Sequence, residues 1–142
     1  MQYRHGGVLG KMADYEFTLP SYIQNGKKKI PINLNWYRNA HHQQLNAVKK
    51  KFKSIIKAQV EAYDPIDGPV SIKFVYYSAR NNSPDLDNFT SIAKKFFQDA
   101  IVELGFLPED NVHNITLTSE SYGGIDRENP RVMAYVRDFS DL

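Results

Sequence analysis

Residues 89–104 constrain the fold more than any other stretch. Phe89, Ile92, Ala93, Phe96, Phe97, Ala100, Ile101 and Leu104 recur at spacings of three and four, which lays them along one stripe of an α-helix. Gly105 follows where a helix commonly stops. Ahead of this helix, Val70, Ile72, Phe74 and Tyr76 alternate with other residues over 70–77, the period of a strand with one buried face. A second, longer helix is expected over 40–62. There Leu45, Val48, Phe52, Ile55, Ile56 and Val60 share one side, and Lys49, Lys50, Lys53 and Lys57 take the other. Asp64-Pro65 and Asp67-Gly68-Pro69 end it. Further strands are expected over 13–20, near 114–121 and near 131–137, with turns at Gln24-Asn25-Gly26 and at Gly123-Gly124. The pattern predicts an α/β fold of the α+β two-layer kind, a mixed β-sheet with two main helices packed on it.

At 142 residues the chain has the size of one domain with a real core. It contains no cysteine, which excludes a disulfide framework and any thiolate metal site. No apolar run approaches membrane-spanning length, and no basic-then-apolar leader opens the sequence; a cytoplasmic protein with no membrane partner is expected. Residues 1–11 lack periodicity and are expected to be a disordered tail or a cloning remnant, with a single domain over 12–142. Charge is unevenly spread. Residues 1–80 hold 13 Lys and Arg against 5 Asp and Glu, whereas residues 81–142 hold 5 against 11. A basic half joined to an acidic half suits a chain that grips polyanions with one surface and gathers cations on another. The lysine runs Lys27-Lys28-Lys29 and Lys49-Lys50-Lys51 read equally as solvated faces.

The chemistry concentrates at Pro84-Asp85-Leu86-Asp87-Asn88 and at Glu109-Asp110-Asn111, on either side of the helix. Asp85 and Asp87 are two apart, so in extended backbone their carboxylates point the same way. Such a pair repels unless a cation sits between, and Mg²⁺ prefers oxygen ligands. The alternative is helix capping, because Asp and Asn before an apolar-periodic run satisfy free backbone N–H groups. An EF-hand is excluded: counting from Asp85, its required Gly and Glu positions hold Thr90 and Phe96. His41-His42 has no partners at metal spacing and reads as surface or helix-start histidine. Tyr76, Tyr77 and the helical Phe residues read as core rather than as stacking platforms.

Taken together, Asp85-Leu86-Asp87-Asn88, Lys95-Phe96, Asp99-Ala100, Gly105 and Glu109-Asp110-Asn111 resemble the RusA family of Holliday-junction resolvases, its phage-type members included. Gly124-Ile125-Asp126 with Asn129-Pro130-Arg131-Val132 looks like that family's closing hairpin, and Asn33-Leu34-Asn35-Trp36-Tyr37-Arg38 looks like its first block. The likeness covers roughly residues 12–137. It implies a homodimeric endodeoxyribonuclease that binds four-way junctions and nicks two strands, with Asp85, Asp87 and Asp110 binding Mg²⁺. The family's best-known members place a lysine one helical turn after the second Asp, where this chain has Ser91. Lys95 fills that role if the alignment is counted back from Asp99; Lys94 is the other candidate, nearer to Asp87 in helical azimuth. Lys27, Lys28, Lys29, Lys49, Lys50, Lys53, Lys57 and Lys94 are the expected DNA contacts. A binding protein of the same fold without turnover, and an interaction domain whose aspartates only cap a helix, are the competing readings. A helix from Asn88 to Leu104 would be about 25 Å long, and Gly105–Asp110 spans at most about 20 Å. The helix is therefore expected to start late or with an irregular first turn.

Overall fold

The computed structural model describes residues 13–81 and 85–140. The expected tail and Pro84 of the acidic motif lie outside them. The order is β1 (Tyr15–Pro20), β2 (Tyr22–Asn25), β3 (Lys28–Pro31), α1 (Leu34–Asn39), α2 (His42–Val60), β4 (Val70–Ser78), α3 (Leu86–Glu103), β5 (Ile115–Ile125) and β6 (Arg131–Asp138). Four strands form a mixed sheet in the order β1-β6-β4-β5, and β2 pairs with β3 as a separate hairpin. Its turn uses Gly26 at φ 64°, as the Asn-Gly signal anticipates.

The apolar alternation of β4 does what its period requires. Val70, Ile72, Phe74 and Tyr76 are all buried, in one cluster with Ile92, Phe96, Phe97, Ala100 and Ile101 of α3. Val48, Phe52, Ile56 and Val60 of α2 join the same cluster, so both long helices cover one face of the sheet. Across that face, Phe17 meets Phe97 at 5.1 Å and Phe106 at 5.5 Å between ring centroids, distances typical of favourable aromatic pairs. On the other face, Lys73 is exposed and Ser71 and Tyr77 are half-buried.

α3 is pinned at both ends. Asp85 caps its start. At its end Gly105, at φ 80°, donates its N–H to Val102 O and Phe106 donates to Ile101 O. That pair of bonds closes the last carbonyls and turns Phe106 and Leu107 into the core.

Four expectations need correction. The helix expected to start late begins at Leu86, because the Asp85 side chain accepts the Asp87 N–H and caps a regular first turn. The 40–62 helix is narrower, starting at His42 after a separate short α1, and Ile55 on its expected apolar side is 40 % exposed. Gly123-Gly124 does not turn the chain; both lie within β5, beside a register shift between Tyr76 and Tyr77 of β4. Finally, β5 and β6 do not pair as a closing hairpin. β4 lies between them, parallel to β5 through the α3 crossover and antiparallel to β6.

Candidate active site

The face of α3 turned away from the core carries Asp87, Ser91, Lys94, Lys95, Gln98 and Asp99, at the three- and four-residue spacing of one helical side. Asp110, from the loop after α3, and Glu120, from β5, complete the lining of a cavity of about 340 Å³ with them. Asp87 and Asp110, expected to act together, therefore border one space. Asp85 stands apart from this lining. Its Oδ1 accepts the Asp87 N–H at 3.1 Å, so the capping role weighed against metal binding is the one its geometry displays.

The two lysines differ. Lys94 Nζ donates to Thr118 Oγ1 at 2.8 Å and lies 3.9 Å from Glu120 Oε1, which ties α3 to the sheet. Lys95 is exposed on the same cavity, with no hydrogen bond or ion pair of its side chain among the described residues.

The donor set suits a hard cation in kind. It offers carboxylate oxygens along a solvent-reaching cavity, and on its lining Ser91 Oγ, which can accept from a metal-bound water, is buried without a hydrogen-bond partner among the described residues. Among the described residues no three His, Asp or Glu side chains lie close enough to hold one metal ion by themselves. Mg²⁺ does not require that: it keeps several waters and uses one or two carboxylates with substrate phosphates. The residues fit Mg²⁺ in this sense.

The basic residues fall into two groups. Lys49, Lys50 and Lys53 of α2 line a second cavity of about 330 Å³ against α3, and Asp99 borders both this cavity and the carboxylate one. Lys49 Nζ sits 5.9 Å from the Phe96 ring centroid, and Lys53 pairs with Glu103 at 3.0 Å. Lys57 is exposed on α2. Lys27, Lys28 and Lys29 are exposed on the β2–β3 hairpin. His41 and His42 open α2, exposed, where helix-start residues belong.

No protein-family model matches this chain, and no curated protein matches it significantly. No helix among the described residues is long and apolar enough to cross a membrane.

Asn88 stands in the acidic motif, but its Oδ1 accepts the N–H groups of Leu34 and Asn35, a contact the sequence does not show. Glu120 is equally unmarked, because its place on the cavity depends on the parallel pairing of β5 with β4. No local signal in either segment announces these contacts.

Proposed function

We propose that the chain is a Mg²⁺-dependent, structure-selective DNA endonuclease of the RusA type, acting as a homodimer on four-way junctions in the cytoplasm. The observation that carries this reading is the cavity that Asp87 and Asp110 share with Lys95, next to a lysine-lined groove. Bound Mg²⁺ would supply an acidified water and positive charge at the scissile phosphate. Asp87 and Asp110 would hold it, while Asp85, the third carboxylate of the resemblance, would fix the first turn that carries Asp87. Lys95, exposed on the cavity, would offset charge on the leaving oxygen. Lys49, Lys50 and Lys57, with Lys27, Lys28 and Lys29, would hold backbone phosphates without reading bases. Lys94 would keep the helix seated on β5 and contribute charge. The sheet face opposite the helices offers a surface for the second copy.

The test is incubation of the purified chain with a labelled four-way junction, with and without Mg²⁺. Cutting that requires Mg²⁺ and vanishes in Asp87→Asn, with junction binding retained, is the expected result. Undiminished cutting by Asp87→Asn would refute the assignment. A second reading, a junction binder without turnover, is favoured by Ser91 standing where the family's best-known members place the lysine; binding with no cutting under any divalent cation would select it.

A further inference from the structure

A larger cavity, of about 490 Å³, opens on the other side of the first turn of α3. It falls within the range of about 300–1,000 Å³ typical of ligand sites. Four elements build it: the β2–β3 hairpin, the C-terminal end of β4, α3 and the loop between β5 and β6. Strand ends beside a crossover helix are where open α/β sheets usually hold ligands.

Its chemistry has two halves. Aromatic surface comes from Tyr22, 36 % exposed, and from half-buried Phe89, whose ring stacks on that of buried Tyr76 at 4.8 Å and 5°. Positive charge comes from Lys29, Arg80 and Arg127, against the single carboxylate of Glu128. Lys29 Nζ lies 4.6 Å from the Tyr22 ring centroid, which joins the two halves. Arg80 and Arg127 make no ion pair among the described residues, unlike Arg131, which is held by Asp126 at 2.9 Å.

We infer that this cavity binds an unpaired nucleotide of a DNA strand, its base against the Tyr22 wall and its phosphates on Lys29, Arg80 and Arg127. A paired base keeps its faces inside the duplex stack, so concave aromatic walls serve a base that has left it. Planar guanidinium groups match phosphate oxygens in pairs. Phe89 and Asp87 are two positions apart on α3, about 200° around the helix, so this cavity and the carboxylate cavity approach the same turn from opposite sides. The assignment rests on the nucleic-acid reading above and deepens it by naming the structural feature recognised.

The experiment is a binding titration of the full chain in EDTA against two duplexes of equal length. One is fully paired; the other carries a single unpaired fluorescent aminopurine. The bulged duplex is expected to bind about ten-fold tighter, as one stacked base contributes, with quenched emission. Tyr22→Ala and Arg127→Ala should each remove most of that preference, and Tyr22→Phe should keep it. If Tyr22→Ala fails to fold by circular dichroism, Arg127→Ala, in an exposed loop, decides. Equal affinity for the two duplexes, or a preference that survives both substitutions, overturns the subsite alone. Binding to neither overturns the nucleic-acid reading with it. A nucleoside monophosphate at the duplex concentration should not compete; displacement would make a free nucleotide the ligand and overturn the strand assignment.

Discussion

The side-chain oxygen of Asn88 accepts the backbone N–H of Leu34 at 3.1 Å, and that of Asn35 at 3.2 Å. These are first-turn donors of α1, which the helix itself cannot satisfy. Asn33 supplies the local cap through Trp36 N at 2.8 Å. One residue after Asp87, then, the chain fastens a helix that lies more than fifty positions earlier. Asn88→Ala should cost about 1–2 kcal/mol of stability, and Asn88→Asp, which keeps an acceptor, much less. Urea denaturation measures both. Equal losses in the two variants would contradict the capping role.

Lys94 and Lys95 test the proposed division between a structural and a catalytic lysine. Lys94→Ala removes the bond to Thr118 and should lower stability by about 0.5–1.5 kcal/mol. Lys95→Ala removes an exposed ammonium and should leave stability within about 0.5 kcal/mol while, on the proposed mechanism, slowing junction cleavage about a hundred-fold or more. Denaturation and single-turnover cleavage of both variants give the answer. A reversed pattern would move the catalytic role to Lys94.

The lysines of α2 should appear in the salt dependence of binding. Each phosphate contact contributes about 0.9 to the slope of log affinity against log salt. Lys49→Ala, Lys50→Ala and Lys57→Ala should each flatten the slope by about that amount. Lys53, already paired with Glu103 at 3.0 Å, should flatten it less. A slope unchanged in the first three variants would place the DNA on another surface.

Tyr76 makes stability sensitive to alkali. Burial first, then Tyr22 and Tyr122 nearby, push its phenol up to about 12 from the ordinary 10.0. Below pH 10 both folded and unfolded chains hold the proton, and the contribution is complete. Between pH 10 and about 12 the unfolded chain ionises first, so stability falls as pH rises through that window. Tyr76→Phe should lose this share of the decline, while that of Tyr135, also pushed up by burial, stays. Denaturation across the window, with phenolate absorbance followed in the folded state, checks the sign; a wild-type decline equal to that of Tyr76→Phe would contradict it.

Elements whose partners lie within one turn of helix or one strand face were legible. The α3 stripe and the β4 alternation needed only their own periodicity, and the Gly105 stop needed only its left-handed backbone. What depends on distant neighbours was not. α1 has six residues, and one of its caps comes from Asn88. Gly123 looked like a turn, yet it sits in β5 because a Cβ there would come within 2.5 Å of the Tyr77 ring; it is a space requirement of the neighbouring strand. The pairing order of β5 and β6 is set by which edge of β4 each can reach. In the site, the shared cavity of Asp87 and Asp110 is what the family resemblance implied, although helix length and linker reach argued against a regular helix between them; Asp85 could cap or chelate from the same sequence. The walls of the larger cavity come from four separate elements, so no local pattern could announce them.

With a carboxylate lock at one terminus and a glycine lock at the other, α3 behaves as a strut of set length. Extra residues inserted within it cannot be absorbed by fraying. Four of them would add a full turn, about 5.4–6 Å, and carry the loop bearing Asp110 that much farther from Asp87. In this architecture the span of the carboxylate cleft is thus tuned by counting helical turns in the crossover rather than by changing the acidic residues themselves.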